Sequence, residues 1–67
     1  MKYDIGDLLV FRSIQMHHII QWIYNIDGVL FYDMECLEDG KKYMFSSKTL
    51  DRSFDIVQKV NRDNQSK

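Results

Sequence analysis

The stretch Asn25-Ile26-Asp27-Gly28-Val29-Leu30-Phe31-Tyr32-Asp33-Met34-Glu35-Cys36-Leu37-Glu38-Asp39-Gly40-Lys41 decides the fold of this chain. It is one short, largely apolar run, Val29 to Cys36, framed by two Asp-Gly turn signals. Glycine takes positive φ without steric cost and aspartate tolerates it, so Asp-Gly between apolar segments marks a tight hairpin. Two such turns in succession predict three consecutive antiparallel strands, a meander.

Working outward, His-Ile-Ile-Gln-Trp-Ile-Tyr at 18–24 precedes the first turn and is rich in β-branched and aromatic residues, which fit a pleated surface. It predicts the second strand, although Ile19, Ile20 and Ile23 also fit a helical stripe. Leu8-Leu9-Val10-Phe11, entered through Gly6, predicts the first strand, with a loop over 13–17. Residues 41–46 predict the fourth strand, 47–52 a short helical turn, and 54–60 the fifth strand. The expected architecture is mostly β: five antiparallel strands in one domain over residues 1–60, followed by a flexible polar tail over 61–67.

The turns also predict a register. A type I turn with Gly28 in a bulge sets Asn25 opposite Val29, so Trp22 faces Tyr32, Tyr24 faces Leu30 and Ile20 faces Met34. A two-residue Asp39-Gly40 turn sets Cys36 opposite Tyr43 and Met34 opposite Phe45. One face then carries Ile20, Trp22, Tyr24, Leu30, Tyr32, Met34, Cys36, Tyr43 and Phe45. The reverse face carries Gln21, Asp33, Glu35 and Lys42, but also Ile19, Ile23, Phe31 and Met44. Leu8, Val10, Trp22, Leu30, Tyr32, Phe45 and Ile56 are the expected core. So apolar a reverse face has two readings. Either a long, bent second strand serves both walls of a barrel, or the face is exposed and meets another protein.

The chain has 67 residues, nine Lys/Arg against ten Asp/Glu, and a net charge of −1. So even a balance argues against nucleic acid as the main partner, because affinity there comes chiefly from phosphate neutralisation. Cys36 is the single cysteine, which rules out an internal disulfide. A lone thiol behind a polar, charged start (Met1 to Asp7) that lacks a secretory apolar stretch predicts a cytoplasmic protein. No run approaches the ~20 apolar residues of a membrane span.

The order strand, long loop, meander, helical turn, last strand resembles small SH3-like barrels, including the Tudor and chromo-type group. The residues that carry the likeness are Tyr3-Asp4-Ile5-Gly6-Asp7-Leu8-Leu9 at the start and Thr49-Leu50-Asp51 to Phe54 before the last strand. The resemblance implies a five-stranded barrel. It also implies an aromatic cage for a methylated lysine, for which Trp22, Tyr24, Tyr32, Tyr43 and Phe45 are candidates. The same five are the best core candidates, and large aromatics dominate small cores. The short, proline-free chain is also similar in style to small phage-encoded accessory proteins, which implies an adaptor or inhibitor that binds a host protein.

Catalytic and metal chemistry find little purchase. Adjacent His17 and His18 on a strand point to opposite faces, and with Cys36 they lack metal-ligand spacing. Cys36 falls on the inner face, where a small apolar residue belongs. Asp33 and Glu35 share a strand face but point outward, where carboxylates are solvated. No cofactor is expected. Two function classes remain. The first is a non-enzymatic protein-binding module whose contacts are Ile19, Ile23, Phe31 and Met44; an exposed edge or apolar patch also allows homo-oligomers. The alternative is a nucleic-acid-binding regulator that uses Lys41, Lys42, Lys48 and Arg52.

Overall fold

The computed structural model describes residues 2–60; the expected tail, 61–67, lies outside them. Five strands and one helix follow in the order β1 (Leu8–Phe11), β2 (Met16–Ile26), β3 (Val29–Cys36), β4 (Lys42–Ser46), α1 (Ser47–Ser53) and β5 (Phe54–Gln58). All strands belong to one antiparallel sheet in the order β4-β3-β2-β1-β5. No helix among the described residues is long and apolar enough to cross a membrane.

β4 and β5 are the two edges of this sheet and are not hydrogen-bonded to each other. In a flat five-stranded sheet they would stand roughly 19 Å apart, four spacings of about 4.8 Å. Phe45 of β4 and Phe54 of β5 instead bring their ring centroids to 5.1 Å. The sheet is therefore curled, and side chains rather than backbone bonds span its open side. Phe11 stacks on Phe54 at 4.8 Å and meets Phe45 edge-on at 6.3 Å, extending the same contact inward. The core under the curl is Tyr3, Leu9, Ile20, Tyr32, Met34, Leu50 and Phe54, with Phe11, Ile23, Leu30 and Phe45 packed against it.

Between the edges runs α1. Seven residues are too few for a stable isolated helix. Ser46 caps it by accepting a hydrogen bond from the Thr49 N–H, and fully buried Leu50 anchors it to the core.

The β2–β3 turn departs from expectation. Asp27 itself takes φ 52° beside Gly28 at 83°, giving a two-residue turn that matches the strand twist. The Asn25 side chain accepts from the Gly28 N–H. Ile26 therefore faces Val29, and near the turn every β2 residue sits one place from its expected partner: Tyr24 faces Phe31 and Trp22 faces Asp33. A bulge at Gln21 absorbs the offset, so Ile20 faces Met34 as expected. Because an offset of one exchanges faces, Ile23 turns inward onto the core while Trp22 and Tyr24 turn outward. The β3–β4 register differs by two. The loop spans residues 37–40, Met34 faces Tyr43, and Tyr32 faces Phe45. A shift of two preserves faces, so this error left the inner set intact.

β1 is in the opposite phase from the expected one. Leu9 is fully buried, while Leu8 and Val10 are half-buried. Trp22 and Ile56, both expected in the core, are exposed. Tyr3 and Asp7, in a segment that reads as merely polar, are buried instead. The Tyr3 ring meets Tyr32 edge-on at 5.5 Å and its hydroxyl donates to Asp51.

Asp7 has no exposed surface. Its carboxylate accepts from the Asp4 N–H at 2.9 Å, the Val60 N–H at 2.8 Å and the Lys59 ammonium at 2.6 Å. The Asp7 carbonyl accepts from the Ile20 N–H of β2, and the neighbouring Gly6 N–H donates to the Ile20 carbonyl. The segment before β1 and the segment after β5 are thus fastened at one carboxylate.

Asp7→Ala is expected to lower the unfolding free energy by about 2–4 kcal/mol, because two backbone donors and an ammonium lose their acceptor; urea denaturation measures it. Gly28→Val is expected to cost about 1 kcal/mol or more. The position is open, so the cost is the positive φ alone. An unchanged urea midpoint would contradict the two-residue turn.

Candidate functional site

The curl gives the sheet a concave face that holds the core and a convex face that does not. On β2 the bulge places Gln21 and Trp22 consecutively on the convex side: the Gln21 amide reaches Glu35 at 2.8 Å, and Trp22 is 55% exposed. Tyr24 and Ile26 follow on the same side at 38% and 50% exposure. β3 contributes Val29 at 46%, half-buried Phe31, Asp33 and Glu35, and β4 contributes Met44 at 52%. In register these side chains form rows across three strands. Ile26 lies beside Val29, Tyr24 beside Phe31 beside Ser46, and Trp22 beside Asp33 beside Met44. Directly opposed residues on a pleated face stand roughly 5 Å apart, so the rows are continuous.

The convex patch ends in a polar chain. Lys42 donates to the Gln21 amide oxygen at 2.7 Å, and the Gln21 amide nitrogen donates to Glu35, linking β4, β2 and β3. At the other end a cleft of about 440 Å³ opens beside the β2–β3 turn, lined by Gly28, Val29, Leu30, Ser46, Ser47 and Lys48.

Of the four residues expected to contact a partner, Phe31 and Met44 lie within this patch. Ile19 lies on the same face, half-buried, opposite Glu35 and Leu8. Ile23 does not belong: the Gln21 bulge turns it against the core. Trp22 and Tyr24, the patch's two largest exposed side chains, are expected inward from a Gly28-bulge turn that sets them opposite Tyr32 and Leu30; the two-residue turn instead sets them opposite Asp33 and Phe31. The Gln21 bulge absorbs the offset, and neither Gly nor Pro marks it in the sequence.

The aromatic cage that the resemblance implies does not assemble. Tyr32 is buried in the core, while Trp22 and Tyr24 are on the opposite face from Tyr43 and Phe45. Tyr43 and Phe45 stack at 6.1 Å, and both meet buried His18 edge-on. The basic residues are divided. Lys41 and Lys42 lie at the start of β4. Lys48 and Arg52 line different clefts, the latter about 330 Å³ in volume and shared with Phe11, Arg12, Ser13 and Ser53.

The histidines and the cysteine lie close together where the start of β2 meets the end of β3. Cys36 is fully buried opposite His18, and its thiol donates to Glu38 at 3.8 Å. His17 meets Glu38 twice, through its backbone N–H and through Nδ1, both at 2.7 Å. His18 Nδ1 is held by the Met16 carbonyl at 3.0 Å. Among the described residues no three of His, Cys, Asp and Glu are arranged to hold a metal ion. Hydrogen bonds from the His17 ring and backbone hold Glu38 below the usual carboxylate range, and the Tyr43 hydroxyl does the same for Asp39. The Tyr3 hydroxyl and Lys2 likewise lower Asp51.

Comparison with protein-family models, with curated proteins and with solved structures returns no match.

The three lowered carboxylates give the fold an acid limb. Each folded value lies below its unfolded one, so the stabilisation is complete above pH 4.5 for Glu38 and above pH 3.8 for Asp39 and Asp51. It is lost as the pH falls through the folded values. Lys59 is raised, chiefly by its bond to Asp7, so its contribution is complete below pH 10.5 and is lost at higher pH. Thermal unfolding against pH is expected to show both limbs. Glu38→Gln should make the acid one shallower.

Proposed function

We propose that this chain is a non-enzymatic protein-binding module that docks its partner on the convex face of β2, β3 and β4. The observation that carries this reading is the patch of Trp22, Tyr24, Ile26, Val29, Phe31 and Met44. It holds the chain's single tryptophan at 55% exposure, although Tyr32, Leu9 and Met34 are buried almost completely one layer away. Scattered single apolar residues are ordinary on a surface, whereas contiguous exposed ones mark interaction sites. Trp, Tyr and Met are also the residues enriched where interfaces draw their binding energy. Such a module acts as an adaptor or inhibitor, by covering a partner's surface rather than by reacting with it.

The fold in this reading is a small SH3-like barrel. The strand order β4-β3-β2-β1-β5, the helical turn before β5 and the Phe45–Phe54 contact across the open side all support it. The patch lies outside that barrel, so binding needs no rearrangement of the core.

The test pairs folding with capture. Trp22→Ser combined with Met44→Ser is expected to change stability by no more than roughly 1 kcal/mol, since both side chains are exposed. Capture of the wild-type chain's partner from native extract is expected to fall about tenfold or more. A folded double variant that captures the same protein equally well removes this face from the site.

A further inference from the structure

Resting on the docking reading above, we propose that the partner presents a basic segment, an arginine or lysine flanked by apolar side chains, with its cation received by Asp33. Asp33 sits in the middle of the patch. Its neighbours in register are Trp22 on one side and Met44 on the other, and Phe31 and Glu35 share its strand face. It is half-buried, yet among the described residues its carboxylate takes part in no hydrogen bond or ion pair. The other charges on this face are already engaged. Glu35 accepts from Gln21, and the Lys42 ammonium is turned to the Gln21 oxygen. Among the described residues, Asp33 is therefore an unengaged carboxylate set in the middle of the Trp22–Asp33–Met44 row, within an apolar and aromatic surface.

The chemistry of the occupant follows from what would happen to that carboxylate. A wholly apolar partner would strip water from an ionised group and return nothing, which is unfavourable. A second copy of this chain, docked face to face around a two-fold axis through the patch, would bring Asp33 towards its own symmetry mate. Like charges meeting in a drying interface oppose association. A guanidinium or ammonium group replaces the lost water, and Trp22 across the strand pair offers it an aromatic face as well. Apolar residues on either side of the cation then cover Tyr24, Phe31 and Met44.

A random peptide library panned on the folded chain tests this. The expected result is enrichment of peptides with a central Arg or Lys between apolar residues. A synthetic peptide of that sequence should bind Asp33→Asn about tenfold or more weakly than the wild type, while the variant unfolds at the wild-type temperature. Emission from Trp22 reports binding directly. Enrichment of apolar peptides without a cation, bound equally by Asp33→Asn, overturns the basic partner and leaves the docking reading standing. A wild-type dimer in sedimentation velocity that Trp22→Ser dissolves also overturns it, in favour of a second copy. Peptides that bind Trp22→Ser as well as the wild type, or no enrichment at all, overturn both readings.

Discussion

A carboxylate without exposed surface holds this fold together. Asp7 accepts from Asp4 ahead of β1 and from Lys59 and Val60 beyond β5, while its backbone bonds to β2. A sheet of five strands has two ends to lose, and β5 is only five residues long with a single strand partner. Fastening the exit of β5 to the approach of β1 keeps that short edge strand in place. The ion pair to Lys59 is partly solvated, since the lysine side chain is 43% exposed. Its Coulombic term is therefore modest. The larger effect is that two backbone donors are satisfied at a site where water does not reach the acceptor.

With β5 held, the remaining geometry follows from the curl and from one inserted residue. The curl buries a single face of the sheet, and the contact between Phe45 and Phe54 spans the side where the strands do not pair. The Gln21 bulge then decides which β2 residues face the core. It leaves Ile20 and Ile23 inward, three apart, and sends Gln21, Trp22 and Tyr24 outward. A regular strand would have buried the tryptophan. The exposed convex patch is thus a consequence of an irregularity in the ladder rather than of surplus hydrophobic residues.

The sequence was legible wherever a local signal existed. Two Asp-Gly pairs located both hairpins, and the bounds of β1 and β3 match because turns flank them. The inner set of β3 and β4 (Leu30, Tyr32, Met34, Cys36 and Phe45) was recovered despite a wrong loop length, because the error was an even number of residues. Legibility failed where the cause was distant. Nothing near Asp7 announces a partner more than fifty residues away. Nothing in Leu8-Leu9-Val10 says which alternate residue is inward, since all three are apolar. At the candidate site, Phe31 and Met44 were placed on the convex face by alternation, whereas Ile23, Trp22 and Tyr24 were misplaced by a Gly28-bulge turn that the two-residue turn replaces, the compensating bulge at Gln21 being unmarked.

The Asp7 fastening also orders events in time. The β2–β3 hairpin joins neighbours through a two-residue turn, so it can form on the microsecond scale of local structure. The acceptor at Asp7 is made some fifty residues before its donors at Lys59 and Val60, which come after the last strand. The Asp7 carboxylate is therefore among the last groups of this sheet to be satisfied. Until β5 is in place Phe11 lacks its stacking partner Phe54, and the growing chain carries an unpaired β1 edge.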